Sequence, residues 1–199
     1  MTFNKYVAEF LGTFTLVLVV TLSLTGKFPV PTPFLAAAVV GTFVYTIGFI
    51  SGAHVNPAVT LGAWSINKIT TKDAIAYIIS QLIGAVVAMI IARVLVGAML
   101  PPMPQSTLIM SLGELIGTLL LTFGVASVVY GKTDKQLSGI VVGSSLFIGI
   151  AVAGVMGSAG VINPAVALGV GLFNPQYIAG EVIGGVLGFW IFKLLAKQK

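Results

Sequence analysis

Long apolar runs separated by short polar segments dominate this chain. A helix needs about 20 mostly apolar residues to cross a bilayer, and the pattern predicts six such helices, near residues 6–25, 34–51, 74–98, 107–130, 137–156 and 176–195. Two further apolar stretches, Val59–Ile66 and Val166–Phe173, are too short to cross a bilayer alone. We therefore expect an all-α membrane protein with six transmembrane helices and two re-entrant half-helices.

The tripeptide Asn-Pro-Ala precedes both short stretches, and Asn-Pro-Ala-Val-x-Leu-Gly reads through both copies, which begin at Asn56 and Asn163. Other positions repeat in step: Glu9 with Glu114, Gly12 with Gly117, Thr13 with Thr118, Tyr77 with Tyr177, Gln81 with Glu181, and Gly84 with Gly184. These repeats predict one domain, residues 1–199, built from homologous halves near 1–100 and 107–199. Because each half has three spans, an odd number, the repeat is inverted across the membrane.

The Asn-Pro-Ala tripeptides are strong helix-start signals. The side-chain oxygens of Asn56 and Asn163 can cap free backbone N–H groups, and Pro57 and Pro164 suit the first helical position. Half-helices of about 10 residues, about 15 Å long, that enter from opposite faces would meet near the middle of a core about 30 Å thick. Non-helical backbone at that depth is tolerated where it lines a water-filled cavity, so we expect the residues before each asparagine to line a pore.

Composition narrows the functional classes. The chain is 57% apolar and only 8% charged, so its few charged side chains cannot cover a water-facing domain of this length. There is no cysteine and the only histidine is His54, so we predict no metal site and no cofactor. The net charge of +5 comes from scattered lysines that form no stripe for nucleic acid. No set of nucleophile, base and orienting group indicates an enzyme.

The lysines indicate the topology instead. With both termini cytoplasmic, eight lysines fall inside the cell: Lys5, Lys68, Lys72, Lys132, Lys135, Lys193, Lys197 and Lys199. Lys27 falls outside, and Arg93 lies near an outer helix end, where it either extends to the interface or reaches the vestibule. The bias of basic residues toward the cytoplasm favours this orientation, and we predict a multi-pass protein of the cell membrane.

Along almost its whole length the sequence resembles the aquaporin, or major intrinsic protein, family. The resemblance rests on the tandem Asn-Pro-Ala boxes, on Ser51-Gly52-Ala53-His54-Val55 before the first box, and on the pair Glu9 and Glu114. It implies a passive channel for water and small uncharged solutes such as glycerol-like polyols or urea. It also implies a homotetramer in membrane lipid with one pore in each subunit.

The resemblance also implies roles for individual residues. Asn56 and Asn163, each followed by its Pro-Ala (Pro57-Ala58 and Pro164-Ala165), would donate N–H groups to the solute at the pore centre. Facing half-helix N-termini would repel cations there. The implied ladder of pore carbonyls comprises Gly52, Ala53, His54, Ser158, Ala159 and Gly160.

Three side chains in or beside the apolar spans have alternative interpretations. Glu9 and Glu114 would brace the loops by accepting backbone N–H bonds, although an acid within the membrane can also indicate a proton relay. The His54 side chain either braces its loop or acts as a pH gate.

The family's second constriction usually contains an aromatic residue and an arginine directly after the second Asn-Pro-Ala. Counting along this chain gives four small or apolar residues instead: Ala36, Ala151, Gly160 and Val166. We therefore expect a wide, apolar filter and no strict selectivity for water. A shifted register would instead place Phe34 or Phe147 in the filter.

Two other classes of function remain open. A non-conducting scaffold on the same fold is compatible with the sequence, although the intact pore motifs weigh against it. A secondary transporter can also have inverted repeats and half-helices, but it would need a charged coupling site near the midplane, and no basic residue falls there.

Overall fold

The computed structural model describes residues 3–26, 29–97 and 107–196, and this part of the chain contains helices and no β-strand. Its α-helices are α1 (Phe3–Ser23), α2 (Thr32–Ser51), α3 (Pro57–Ser65), α4 (Thr71–Val96), α5 (Leu108–Val129), α6 (Ser138–Val155), α7 (Pro164–Val170) and α8 (Pro175–Ala196). Six of them are long and apolar enough to cross a membrane, the fifth candidate span including the 3-10 turn at Lys135–Leu137. The six predicted spans are confirmed, while Lys27, Lys197 and Lys199 lie outside the described residues.

Local sequence explains where several helices begin and end. Helix α4 begins three residues before the predicted position because Thr70 caps it, with the Thr70 hydroxyl accepting a hydrogen bond from Asp73 N at 3.1 Å. The half-helices begin at Pro57 and Pro164. Helix α7 has only 7 residues and ends before Gly171, whose φ of 81° lies in the left-handed region that glycine tolerates. It is therefore shorter than the expected half-helix of about 10 residues.

The two halves interlock through their short helices. Helix α1 packs against α2 and α4, α5 packs against α6 and α8, and α2 packs against α6 to join the halves. The half-helix α3 packs on α8, and α7 packs on α1 and α4, so each half-helix contacts the outer helices of the other half. This exchange is the arrangement expected of an inverted repeat.

Glycines permit the closest of these helix contacts. A Cβ added to Gly84 of α4 would lie 2.7 Å from the carbonyl oxygen of Phe10 in α1. A Cβ added to Gly185 of α8 would lie 2.6 Å from the carbonyl oxygen of Ala58 in α3. Any larger residue would force the helices apart, which is why small residues are typical of helix interfaces in membranes.

The outside of the bundle is apolar. Helix α4 alone exposes Ile75, Ile79, Ile83 and Ile90, at intervals of four or seven residues along one face. A water-soluble monomer rarely exposes a continuous apolar surface of this kind. With six membrane-length helices, the chain is a multi-pass membrane protein whose outer surface lipid can cover.

The basic side chains gather at one end of the bundle. Lys5 at the start of α1 forms an ion pair of 2.8 Å with Asp73 at the start of α4. Lys68, after α3, lies with its Nζ 4.6 Å from the centre of the Tyr130 ring after α5. Of the basic residues in the described ranges, six lysines belong to this end: Lys5, Lys68, Lys72, Lys132, Lys135 and Lys193. Arg93 is exposed in the last turn of α4, at the other end.

Candidate functional site

Two strained loops lead into the half-helices, at residues 52–56 and 156–163. Positive φ values occur at Gly52 (90°), Ala53 (50°) and Val55 (43°) in the first loop, and at Gly157 (79°), Gly160 (64°) and Ile162 (42°) in the second. For residues other than glycine this conformation costs about 1–3 kcal/mol each. The loops therefore need strong interactions with the surrounding helices to keep their shape.

The buried carboxylate of Glu9 supplies such interactions to the first loop. Its Oε1 accepts hydrogen bonds from the Ser51 hydroxyl at 2.6 Å and from His54 N at 2.9 Å. Its Oε2 accepts from Val55 N at 2.7 Å and from the Gln81 amide at 2.8 Å. Tyr77 adds a bond from its hydroxyl to the Ser51 carbonyl at 2.8 Å. The Glu9 carboxylate thus uses all four of its acceptor sites, three on residues 51–55 and one on Gln81 of α4.

Glu114 occupies the equivalent place beside the second loop. It accepts hydrogen bonds from the Ser158 hydroxyl, from Val161 N at 3.0 Å and from Ile162 N at 2.6 Å. Glu181, from α8, accepts a bond from Asn163 N at 3.1 Å. Glu114 and Glu181 are both fully buried. Together they accept hydrogen bonds from three consecutive backbone N–H groups of the loop.

The two asparagines cap their half-helices and also join the two loops. The Asn56 side-chain oxygen accepts a bond from Ala58 N at 2.8 Å, and that of Asn163 accepts from Ala165 N at 3.0 Å. Asn56 Nδ2 donates to the Ile162 carbonyl at 2.9 Å, and Asn163 Nδ2 donates to the Val55 carbonyl at 3.0 Å.

These cross-links explain the strained backbone. Val55 and Ile162, the non-glycine residues with positive φ directly before each asparagine, present their carbonyls to the opposite loop. Each asparagine amide carries two N–H bonds and uses one of them in this way. One N–H of each asparagine is left for another acceptor.

Thr60 determines which nitrogen of His54 carries hydrogen. The Thr60 hydroxyl donates to the Asn56 carbonyl at 3.1 Å and accepts from the Gln81 amide at 3.1 Å. Its single proton is therefore used, so toward His54 Nδ1, at 3.1 Å, it can only accept. We therefore place a hydrogen on His54 Nδ1, which donates to Thr60.

Two cavities lie inside the bundle and share part of their lining at Asn163. The larger cavity, called the wide cavity below, has a volume of about 190 Å³. The smaller one, called the narrow cavity, has a volume of about 50 Å³. Their linings share three residues, Leu16, Leu146 and Asn163. The narrow cavity is also lined by Asn56 and His54. The two cavities therefore approach each other at the level where the paired asparagines meet.

Apolar stripes from four long helices form most of the cavity walls. Each stripe has residues at intervals of four, so that they lie on one face of the helix. The stripes are Leu16 and Val20 on α1, continued by Leu24 directly after it; Thr32, Ala36, Val40 and Val44 on α2; Leu121, Val125 and Val129 on α5; and Val142, Leu146 and Ile150 on α6. The polar part of the wall comes from the two loops and their asparagines.

Comparison with known proteins decides the family. Residues 1–192 match the family model described as major intrinsic protein. The chain belongs to the major intrinsic protein family. Aquaporin AqpM of Methanothermobacter thermautotrophicus is 30% identical over 247 residues, covering 98% of this chain and 98% of the relative. Aquaporin NIP1-1 of Zea mays is 30% identical over 211 residues, covering 96% of this chain and 74% of the relative.

The fold agrees with that of a solved member. The X-ray structure of the aquaglyceroporin from Plasmodium falciparum matches with a TM-score of 0.69 at 21% identity, covering 100% of this chain and 97% of that one. The predicted all-helical fold with two half-helices is confirmed. The family is one of membrane channels for water and small solutes, and not of enzymes.

The predicted filter residues divide between two environments. Ala36, Gly160 and Val166 line the wide cavity, and Val166 is only 5% exposed. Ala151 is exposed on α6 and lines neither cavity, so its placement by counting back from Asn163 was wrong. The preceding residue, Ile150, faces the wide cavity instead, because one residue along a helix turns the side chain by about 100°.

The alternative register with an aromatic filter does not occur. Phe34 and Phe147 are 58% and 42% exposed and line a separate groove on the outside of α2 and α6. Neither ring contributes to the wide or the narrow cavity.

The loop residues predicted as a carbonyl ladder mostly line the cavities. Gly52, Ala53 and His54 line the narrow cavity, and Ala159 and Gly160 line the wide one. Ser158 lines neither, because its hydroxyl is turned to Glu114 and accepts from Gly160 N at 3.1 Å. Val161 takes its place in the lining of the wide cavity.

The Pro-Ala pairs after the asparagines have a different place. Pro57, Ala58, Pro164 and Ala165 are buried in the first turns of α3 and α7 and line neither cavity.

Sequence reasoning missed several wall residues. Leu16, Leu146 and Ile150 received no role, although Leu16 and Val20 recur as Leu121 and Val125 at the 105-residue offset of Glu9 and Glu114. That repeat of apolar residues was a signal for a common pore-facing stripe.

Proposed function

We propose that this chain is a passive channel that conducts water and small uncharged solutes through the two cavities. The observation that carries the proposal is that the cavities meet beside the paired asparagines, with Leu16 and Leu146 completing the wall. The shared lining offers a solute at this level the amide of Asn163 and the isobutyl groups of Leu16 and Leu146. This wall suits a neutral molecule that has both polar and apolar surface.

Ion exclusion follows from the charge distribution at the same level. The N-termini of α3 and α7 each carry a positive partial charge of about half a unit, and Asn56 and Asn163 bring these ends together. A cation entering there loses its water shell without gaining an anionic partner. Asn56 and Asn163 are thus the proposed pore centre, with their Pro-Ala neighbours Pro57, Ala58, Pro164 and Ala165 fixing the helix starts.

The wide cavity sets the solute range. Ala36, Ile150, Gly160 and Val166 together leave its wall without a bulky aromatic ring or a fixed charge. We expect solutes of glycerol or urea size to enter it, and water to gain few hydrogen bonds along its apolar stripes. Selectivity for water alone is therefore not expected.

Orientation and assembly belong to the same proposal. Six lysines at one end of the described bundle, with Arg93 at the other, favour a cytoplasmic location for that end and for both termini in the cell membrane. Residues 1–199 form one channel domain of two halves, about 1–100 and 107–199. Four such chains, each with its own pore, assemble with their apolar outer faces in contact with one another and with lipid.

Reconstitution tests the proposal directly. Purified protein in liposomes is mixed in a stopped-flow instrument with an osmotic step of sucrose, glycerol or urea, and vesicle volume is followed by light scattering. The account predicts faster glycerol and urea entry than in protein-free vesicles, together with faster water flow. Vesicles that contain assembled protein but behave like empty ones would favour a non-conducting scaffold. Solute entry that requires an ion gradient would favour a secondary transporter.

A further inference from the structure

The inverted repeat places different side chains at one equivalent position. Gln81 of α4 and Glu181 of α8 each follow a repeated tyrosine by four residues, and both are fully buried. Gln81 donates to Glu9 and to Thr60 beside the first loop. Glu181 accepts a hydrogen bond from Asn163 N beside the second loop, at 3.1 Å. The position is shared, but an amide stands in one half and a carboxyl group in the other.

In the first half, the amide completes the hydrogen bonding of the bracing carboxylate. Glu9 Oε2 accepts one bond from Val55 N, at 2.7 Å, and a second from Gln81 Nε2, at 2.8 Å. A neutral donor thus faces an ionised acceptor, which is a favourable arrangement in a buried site.

In the second half, the same donor is missing. Glu114 Oε2 accepts from Ile162 N, the counterpart of Val55 N, at 2.6 Å. Glu181 Oε2 is buried and has no hydrogen-bond partner. Helices α5 and α8 are in close contact here, since a Cβ added to Gly180 would lie 3.4 Å from the Cβ of Glu114. The adjacent backbone N–H groups of Ile162 and Asn163 donate to Glu114 and Glu181 respectively, which places the two carboxyl groups side by side.

We propose that Glu181 is protonated and donates through Oε2 to Glu114, so that one shared proton replaces the Gln81 amide of the first half. The groups that donate to this pair carry no positive charge: the hydroxyl of Ser158 and the backbone N–H groups of the loop. Two buried carboxylates without a cation would be strongly unfavourable. A single proton between them gives the unpartnered Glu181 Oε2 a hydrogen bond.

This assignment makes Glu181 a positioning residue for Asn163. Its Oε1 holds the backbone of Asn163, and its proton keeps α8 and the braced second loop together. Removal of that proton at alkaline pH would place two like charges behind the loop and loosen it. The first loop has no such sensitivity, because the amide of Gln81 does not titrate in this range.

The chain supplies its own matched variants. Glu181→Gln copies Gln81: its amide can donate to Glu114 while its oxygen accepts from Asn163 N. Gln81→Glu makes the converse change and should create a second carboxyl pair with Glu9. Five acidic side chains exist in the chain, Glu9, Asp73, Glu114, Asp134 and Glu181, so an infrared band from one protonated carboxyl group can be assigned by substitution.

The test is infrared spectroscopy of purified protein in lipid at neutral pH, in H₂O and D₂O. We expect one protonated carboxyl C=O band in the wild type, no such band in Glu181→Gln, and a stronger band in Gln81→Glu. A wild type without this band, or a band that persists unchanged in Glu181→Gln, would overturn the shared proton. If Glu181→Gln does not assemble, an unchanged band in Gln81→Glu overturns the proposal, and a band of doubled amplitude supports it.

A second readout tests the positioning role, and it alone rests on the proposed channel function. Glycerol entry into liposomes should fall several-fold as the pH is raised from neutral to alkaline in the wild type, and should stay level in Glu181→Gln. Equal pH profiles would overturn the positioning role. An inactive wild type with the expected infrared bands would count against the channel proposal and leave the shared proton supported.

Discussion

Replacement of Glu9 by glutamine should open the first pore loop while the helices stay folded. Glu9 accepts four hydrogen bonds, two on each oxygen. Glutamine keeps the shape of the side chain but replaces one oxygen with an NH₂ group, which cannot accept. Whichever way the amide is turned, two of the four bonds to the carboxylate are lost, and one backbone N–H, that of His54 or that of Val55, faces another donor.

The magnitude follows from these contacts. Hydrogen bonds to a charged group contribute about 1.5–3 kcal/mol each, so two of them contribute about 3–6 kcal/mol. The positive φ values of Ala53 and Val55 cost about 1–3 kcal/mol each. The two hydrogen bonds that remain in Glu9→Gln would offset this cost by only a small margin. A loss of this size is comparable with the local stability of a loop, whereas a whole domain is stable by about 5–15 kcal/mol.

Hydrogen exchange measured by mass spectrometry checks this expectation. A weakening of about 3 kcal/mol corresponds to about 100-fold faster exchange, and we expect it at the amides of His54 and Val55, which donate to Glu9. Thr13→Val is the matched control, because the Thr13 hydroxyl is buried in the same helix without a hydrogen-bond partner. If Glu9→Gln and Thr13→Val both exchange like the wild type at these amides, the carboxylate does not hold the loop and the reasoning is refuted.

Three further substitutions test the pore itself. Asn163→Asp keeps the helix cap but adds a negative charge. At about 4 Å in an effective dielectric of about 20, that charge attracts a cation by about 4 kcal/mol. Cation leak into liposomes should therefore rise. Val166→Arg places a charged side chain with several donors in the wide cavity and should lower the ratio of glycerol to water permeability. Leu146→Ala widens the level where the cavities meet and should admit larger polyols, whereas Ile148→Ala, on the exposed face of α6, should not.

Each of these variants must first elute and cross-link like the wild type, because a misassembled protein would lose permeability for unrelated reasons. Zero ion conductance in an assembled Asn163→Asp protein would count strongly against the electrostatic barrier. An unchanged permeability ratio in Val166→Arg would remove Val166 from the constriction. Equal size limits in the Leu146 and Ile148 variants would mean that the central leucine does not restrict passage.

Much of the fold could be predicted because the membrane leaves few solutions. Backbone polar groups must be satisfied within each span, so long apolar runs specify helices. The Asn-Pro pairs at 56–57 and 163–164 specify the starts of the half-helices, where the side-chain oxygens cap α3 and α7 as expected.

What escaped prediction depends on rotation about helix axes and on contacts between distant residues. Ala151 and Ile150 are neighbours in sequence. The loop of eight residues that ends at Asn163 is longer than the first loop, so counting back from Asn163 to α6 misses the cavity-facing residue by one position. The cross-links from Asn56 to Ile162 and from Asn163 to Val55 join residues more than 100 positions apart. The repeat pointed to Gln81 and Glu181, but only their contacts show that one donates where the other has no partner.

The most direct test of the central claim measures neutral-solute entry and proton entry in the same vesicles. Liposomes containing the assembled protein and an internal pH-sensitive dye are mixed with buffer that imposes a glycerol gradient and a pH gradient together. The account predicts that glycerol entry is much faster than in protein-free vesicles while the internal pH changes no faster than in those vesicles. Rapid collapse of the pH gradient alongside glycerol entry, or glycerol entry at the protein-free rate, would contradict the account.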